Sequence, residues 1–176
     1  MMVDLRVFVQ YLAFAGALLA GLGAQAQGFS AAISPPRFEI ATEPGKTVRQ
    51  VLEITHVSTL PGHYRVSTAD WRLSETGDFQ IFDTLQPGSC RPWVAIERPV
   101  VEMKPGSRLR YRFEVAVPPD TTMGECRFAL LVQSATPDTH SAVPLSGRIA
   151  VVVYLRIGSA KAELKILTAA MTTLEG

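Results

Sequence analysis

GRIAVVVYLRIG, residues 147–158, contains seven consecutive apolar residues, Ile149 to Leu155. Seven is far short of the ~20 that a membrane-spanning helix needs. The β-branched and aromatic content reads as a strand. Side chains alternate faces along a strand, so Ile149, Val151, Val153 and Leu155 point one way. Ala150, Val152 and Tyr154 point the other way and are apolar as well. Such a strand is either buried on both faces or awaits a partner.

The rest of the chain suits a β protein. It has 176 residues, 47% hydrophobic and 19% charged, which is globular rather than disordered. A formal net charge of +1 gives no field that would draw nucleic acid. Twelve prolines and thirteen glycines, spread along the chain, favour many short elements over long helices.

The N-terminus reads as a leader and not as part of the fold. Val7 to Leu22 is apolar apart from Gln10, Tyr11 and glycines, and Ala24-Gln25-Ala26 is a small-x-small cleavage pattern. Residues 1–26 are therefore expected to be a secretory signal peptide cut before Gln27. The alternative is an uncleaved anchor, for which the run is short. The mature protein is expected to be exported to the periplasm and soluble. In an oxidising compartment Cys90 and Cys126 are expected to pair. Two free thiols are the alternative, because zinc-ligand spacing and a catalytic-thiol grouping are both missing. Closing this 36-residue loop is worth ~3–4 kcal/mol in the chain-entropy model.

Strand-like segments recur between turn signals. Phe29–Ile40 is broken by Ser34-Pro35-Pro36; Thr47–Val57 and His63–Leu73 follow, then a short edge at Phe79–Phe82. Pro92–Met103 is extended but carries Pro99, which suits an edge or a break. Arg108–Val117 has the clearest alternation. Leu109, Tyr111, Phe113, Val115 and Val117 share one face, opposite Arg108, Arg110, Arg112 and Glu114. Cys126–Ser134 and the strand quoted above complete an all-β, immunoglobulin-like sandwich of about seven strands. Trp71 sits on the third strand, but the second strand carries no cysteine, so a disulfide here ties a loop to the start of the penultimate strand.

Chemistry-bearing groupings are sparse. His56 and His63 flank a turn and read as surface residues; Asp70 reads as a strand-end carboxylate. The sequence has no phosphate-binding glycine loop, metal-ligand cluster or nucleophile elbow. It therefore points to no enzyme, cofactor, metal, small-molecule substrate or nucleic-acid partner. The arginines of 108–112 form the polar face of an amphipathic strand.

The order of ISPPRFEI (33–40), VRQVLEITHVS (48–58), RPWVAIERPVVEMKPGSRLRYRFEV (91–115), VPPDTTMGECRFALLV (117–132) and GRIAVVVYLRIG resembles one known arrangement. It is similar to the N-terminal domain of the periplasmic pilus chaperones of chaperone–usher systems, over roughly residues 28–160. The resemblance implies a chaperone that lends its last strand to a pilus subunit lacking one, a form of β-augmentation. The implied partners are a pilus or fimbrial subunit and an outer-membrane usher. It also implies a basic pair that anchors the subunit's C-terminal carboxylate by charge-assisted hydrogen bonds. Arg37 takes the first-strand position; the alternative is a solvated edge arginine. Val152 falls where the family has lysine, and Arg148, four residues earlier on the same face, is the substitute candidate. Val143, Leu145, Ile149 and Val151 are the expected donor residues, with sandwich core as the alternative from Val151 onward. Residues 27–158 are the expected chaperone domain, and 159–176 a linker and the start of a missing second domain. A structural or adhesive immunoglobulin-like module is the competing function.

Overall fold

The computed structural model describes residues 29–135 and 147–159. The described residues form ten strands: β1 (Ala31–Ser34), β2 (Arg37–Thr42), β3 (Thr47–His56), β4 (Gly62–Leu73), β5 (Phe79–Phe82), β6 (Val94–Ile96), β7 (Val100–Met103), β8 (Arg108–Ala116), β9 (Gly124–Ser134) and β10 (Arg148–Ile157). One sheet has the order β1-β3-β8-β6. The other runs β2-β10-β9-β4-β5, with β7 also on β4. The result is an all-β, immunoglobulin-like sandwich of two sheets.

The strand number exceeds the eight strand-like segments of the sequence by two because two of those segments change sheets at prolines. At Ser34-Pro35-Pro36 neither proline has an N–H to give a ladder. The chain therefore leaves β3, which β1 pairs antiparallel, and re-enters the second sheet as β2. Pro99 marks the other switch. The 92–103 segment divides into a 3-10 turn at Arg91–Trp93, then β6 on β8, then β7 on β4.

The core lies between the sheets and follows the alternation in the sequence. Tyr111, Phe113 and Val115 on β8 face Phe128, Leu130 and Val132 on β9 and Val151, Val153 and Leu155 on β10, with Leu52 and Ile54 on β3 beside them. Each fully buried aliphatic side chain contributes ~1.5–3 kcal/mol by leaving water. Cys90 and Cys126 form a disulfide with a Cα–Cα distance of 6.1 Å, inside the usual range. It ties the loop ahead of β6 to the core face near the start of β9.

A second, smaller cluster lies on the outer face of the larger sheet. Trp71, Ala69, Ala129 and Leu131 are buried there, and Ile81, Ala150 and Val152 pack against them. The Trp71 indole N–H donates to the Phe128 carbonyl at 3.0 Å, and the Tyr154 ring meets the indole edge-on with centroids 5.3 Å apart. This cluster answers the question of the valine-rich strand. The odd residues of β10 face the main core, and of the even ones Ala150 and Val152 pack against the protein's own Trp71 cluster while Tyr154 stays partly exposed.

His56 departs from the surface position expected of it. It is only 3% exposed, at one end of the sandwich. Its Nε2 lies 2.6 Å from the Leu60 carbonyl and its Nδ1 2.6 Å from the Tyr64 hydroxyl. A carbonyl only accepts, so Nε2 carries the proton; in the neutral ring Nδ1 then accepts from Tyr64 O–H. Asp70 is likewise buried, and it organises a loop. It accepts from Gln86 N–H at 2.9 Å and Ser89 Oγ–H at 2.6 Å, with the Arg91 guanidinium 3.4 Å away.

Candidate functional site: the edge of β10

β10 is paired unevenly. Along its full length, from Arg148 to Ile157, it pairs antiparallel with β9. On its other side β2 pairs in parallel, beginning at Arg37 opposite Val152 and ending at Thr42 opposite Ile157. Among the described residues, no strand pairs with Arg148–Val151 on that side. The cause is local: the prolines at 35 and 36 delay the start of β2. Unpaired backbone along a strand edge is a ready template for another strand.

Arg37 stands at the point where the second partner begins. Its side chain is 64% exposed and its Nη2 is 2.6 Å from Glu39 Oε1. The pair lies on the outer face of β2, while Phe38 and Ile40 turn into the core. With Glu39, Ala41, Glu125, Tyr154 and Arg156, Arg37 lines an open depression of about 320 Å³. Two arginines and two glutamates balance its charge.

The remaining candidate residues are spread along the same strand. Val152 is the direct register partner of Arg37, so the pair there is arginine with valine. Arg148 is four residues from Val152, ~13 Å along the strand, and its Nη1 is 3.5 Å from Asp83 Oδ1. It is not brought beside Arg37. Val151 is fully buried in the main core and Ile149 packs partly buried against it. Val143 and Leu145 lie outside the described residues, as do residues 1–28 and 160–176. Among the described residues, no group of three or more His, Cys, Asp or Glu is placed to hold a metal ion. None of their helices is long and apolar enough to cross a membrane.

Sequence reasoning missed the contact at the start of β10. A Cβ built on Gly147 would overlap Phe29 Cβ and Cγ and lie 3.0 Å from its Cδ2. Phe29 also meets the Tyr64 ring edge-on, with centroids 5.7 Å apart. The glycine just ahead of an apolar strand was the available signal.

No family model and no curated protein sequence matches the chain. Solved structures do match. The Escherichia coli chaperone DraB matches at a TM-score of 0.52 and 16% identity, over 77% of this chain and 59% of that one. The complex of Salmonella enterica SafA pilin with the SafB chaperone matches at 0.53 and 12%, over 78% and 59%. The pre-assembly complex of the CsuC chaperone with the CsuE tip adhesion subunit of Acinetobacter baumannii archaic Csu pili matches at 0.51 and 12%, over 73% and 57%. Together with the strand order, these matches define a chaperone–usher chaperone-like fold. The chain spans less than two thirds of the length of these relatives.

Proposed function

We propose that this protein is a periplasmic chaperone for secreted pilus subunits, exported by a cleaved leader at residues 1–26. It holds a strand-lacking subunit by lending the first half of β10 and the segment ahead of it, Val143 to Val151. The observation that carries this reading is the uneven pairing of β10 among the described residues: second half enclosed by β2 and β9, first half paired by β9 alone, Arg37 at the boundary. An incoming strand occupies the edge of β10 ahead of the point where β2 begins, and its main-chain hydrogen bonds supply affinity. Arg37 is the candidate anchor for a carboxylate. With Val152 beside it, that anchor has one cation where the related chaperones have two, and Arg148 is too far along the strand to join it. Residues 159–176 fit a linker toward a further domain, as the greater length of the related chaperones suggests, and an outer-membrane usher is the receiving partner in this reading.

The test is capture of a co-encoded, pilin-like subunit from periplasmic extract. Arg37→Ala and the pair Leu145→Asp with Ile149→Asp should each lower recovery, with urea midpoints measured in parallel to separate loss of capture from loss of fold. Undiminished recovery in all variants overturns the mechanism.

The competing reading, a structural or adhesive module, draws on a different observation. The inner face of β10 is buried in the main core, Ala150 and Val152 on its outer face pack against the Trp71 cluster, and Val151 is a core residue. It predicts slow amide exchange along the whole of β10 in the free protein, whereas the chaperone reading predicts faster exchange at Arg148–Val151.

A further inference from the structure

We infer that Phe29 is a positioning residue for the open edge of β10: a pin that holds Gly147, and with it Arg148–Val151, in strand geometry before any partner arrives. The inference rests on the reading that this edge receives a strand, although its first measurement needs no partner.

The N-terminal segment is fastened to both sheets. The Ser30 carbonyl accepts from Val57 N–H at 2.9 Å, just past the end of β3, and β1 continues along β3 from Ala31 opposite His56. Phe29 reaches the other sheet. Its side chain occupies the space that a Cβ on Gly147 would take, on the face from which Ile149 and Val151 point to the core. The ring rests edge-on against Tyr64, whose hydroxyl is held by the buried His56. Tyr64 is the register partner of Ser134, and Ser134 N–H donates to the Gly147 carbonyl at 3.3 Å. Phe29 therefore meets the start of β10 directly and, through Tyr64, the strands beside it.

This position matters because β10 is weakest there. From Val152 onward two neighbouring strands hold it; from Arg148 to Val151 only β9 does among the described residues. A strand end paired on one side opens locally more readily than one paired on both. A segment already ordered when its partner arrives loses less freedom on binding. Phe29 supplies that order by side-chain packing and takes up none of the backbone edge, on which no strand lies among the described residues.

The experiment is amide hydrogen exchange on the full protein, comparing wild type with Phe29→Ala, Gly147→Ala and Phe29→Leu. Gly147→Ala unseats the ring without removing it, and Phe29→Leu restores an apolar pin. Expected is exchange about tenfold faster at the β9-bonded amides of Arg148–Val151 in the first two variants. Leu52 and Tyr111, in the β3–β8 pair, should stay unchanged, and Phe29→Leu should return to near wild type. Unchanged exchange at 148–151, or an equal increase throughout the molecule, overturns the pin. Subunit capture on the same variants forms the second arm: a fall of about tenfold for Phe29→Ala and Gly147→Ala supports positioning for binding. Undiminished capture with accelerated exchange refutes that part of the inference, and absence of capture by wild type refutes the chaperone reading while leaving the pin intact.

Discussion

The His56 imidazole and the Tyr64 hydroxyl share a buried hydrogen bond of 2.6 Å that links β3 to β4 at one end of the sandwich. Leu60, in the turn between these strands, closes the arrangement through its carbonyl at 2.6 Å. Both ring nitrogens are thus engaged, and the ring has one position. Gly62 exists to admit it, since a Cβ there would lie 2.6 Å from His56 Cε1 and 2.8 Å from Nδ1. Gly62→Ala is expected to destabilise the fold by ~1–3 kcal/mol through overpacking, read as a lower urea midpoint. Tyr64→Phe, which removes only the hydroxyl and leaves a buried Nδ1 without its donor, should cost ~1–3 kcal/mol.

The disulfide should matter mainly to the unfolded chain. Cys90 and Cys126 are 36 residues apart, so replacing both by serine, or reducing the bond, is expected to lower stability by ~2–4 kcal/mol. Urea unfolding with and without reductant measures it. A midpoint insensitive to reductant would contradict the pairing.

Trp71 anchors the outer cluster, and its indole is held by the Phe128 carbonyl, Phe79, Tyr154 and the Arg127 guanidinium 5.2 Å from the ring. Trp71→Ala should cost ~3–5 kcal/mol, the range for deleting a large buried aromatic. Ala150 and Val152 lose their cover in that variant, so binding of a dye specific for exposed apolar surface should rise.

Stability should fall at high pH. Burial pushes the Tyr64 and Tyr111 hydroxyls above the ordinary tyrosine value of about 10. Tyr111 donates to the Arg98 carbonyl and accepts from Arg98 N–H at 3.2 Å. As pH rises past 10 the unfolded chain loses these protons while the native state keeps them, so the unfolded state binds fewer and is favoured. The contribution is complete below pH 10 and is lost as pH climbs toward the raised native values. Urea midpoints at pH 9 and pH 11 test this; the decline should be smaller in Tyr111→Phe.

Much of this architecture is legible in residue periodicity. Leu109, Tyr111, Phe113, Val115 and Val117 alternate with charged residues, and the structure sets all five against the core, with the arginines outward. The turns and the edge at Phe79–Phe82 follow from proline, glycine and apolar spacing in the same way. The burial of His56 is not legible in the sequence, because nothing local distinguishes a histidine beside a surface turn from one whose ring is taken inward. Its partners, Leu60 and Tyr64, are close in sequence but become partners only after the turn closes over Gly62. The cover supplied by Trp71 was equally hidden, since a strand's period tells which residues share a face and not what lies upon it.

Local sequence alone therefore determined that this chain makes alternating strands, that they stack as a sandwich, and that 149–155 is one of them. All three are consequences of the two-residue period of a strand and of the solvation cost of exposing its apolar side. Which half of that strand is enclosed and which is an edge was decided only in three dimensions. It depends on where β2 starts relative to β10, and so on Arg37 coming to rest opposite Val152 across a long stretch of intervening chain. Strand register between remote segments is set by the packing of the whole core, which no short window of residues contains.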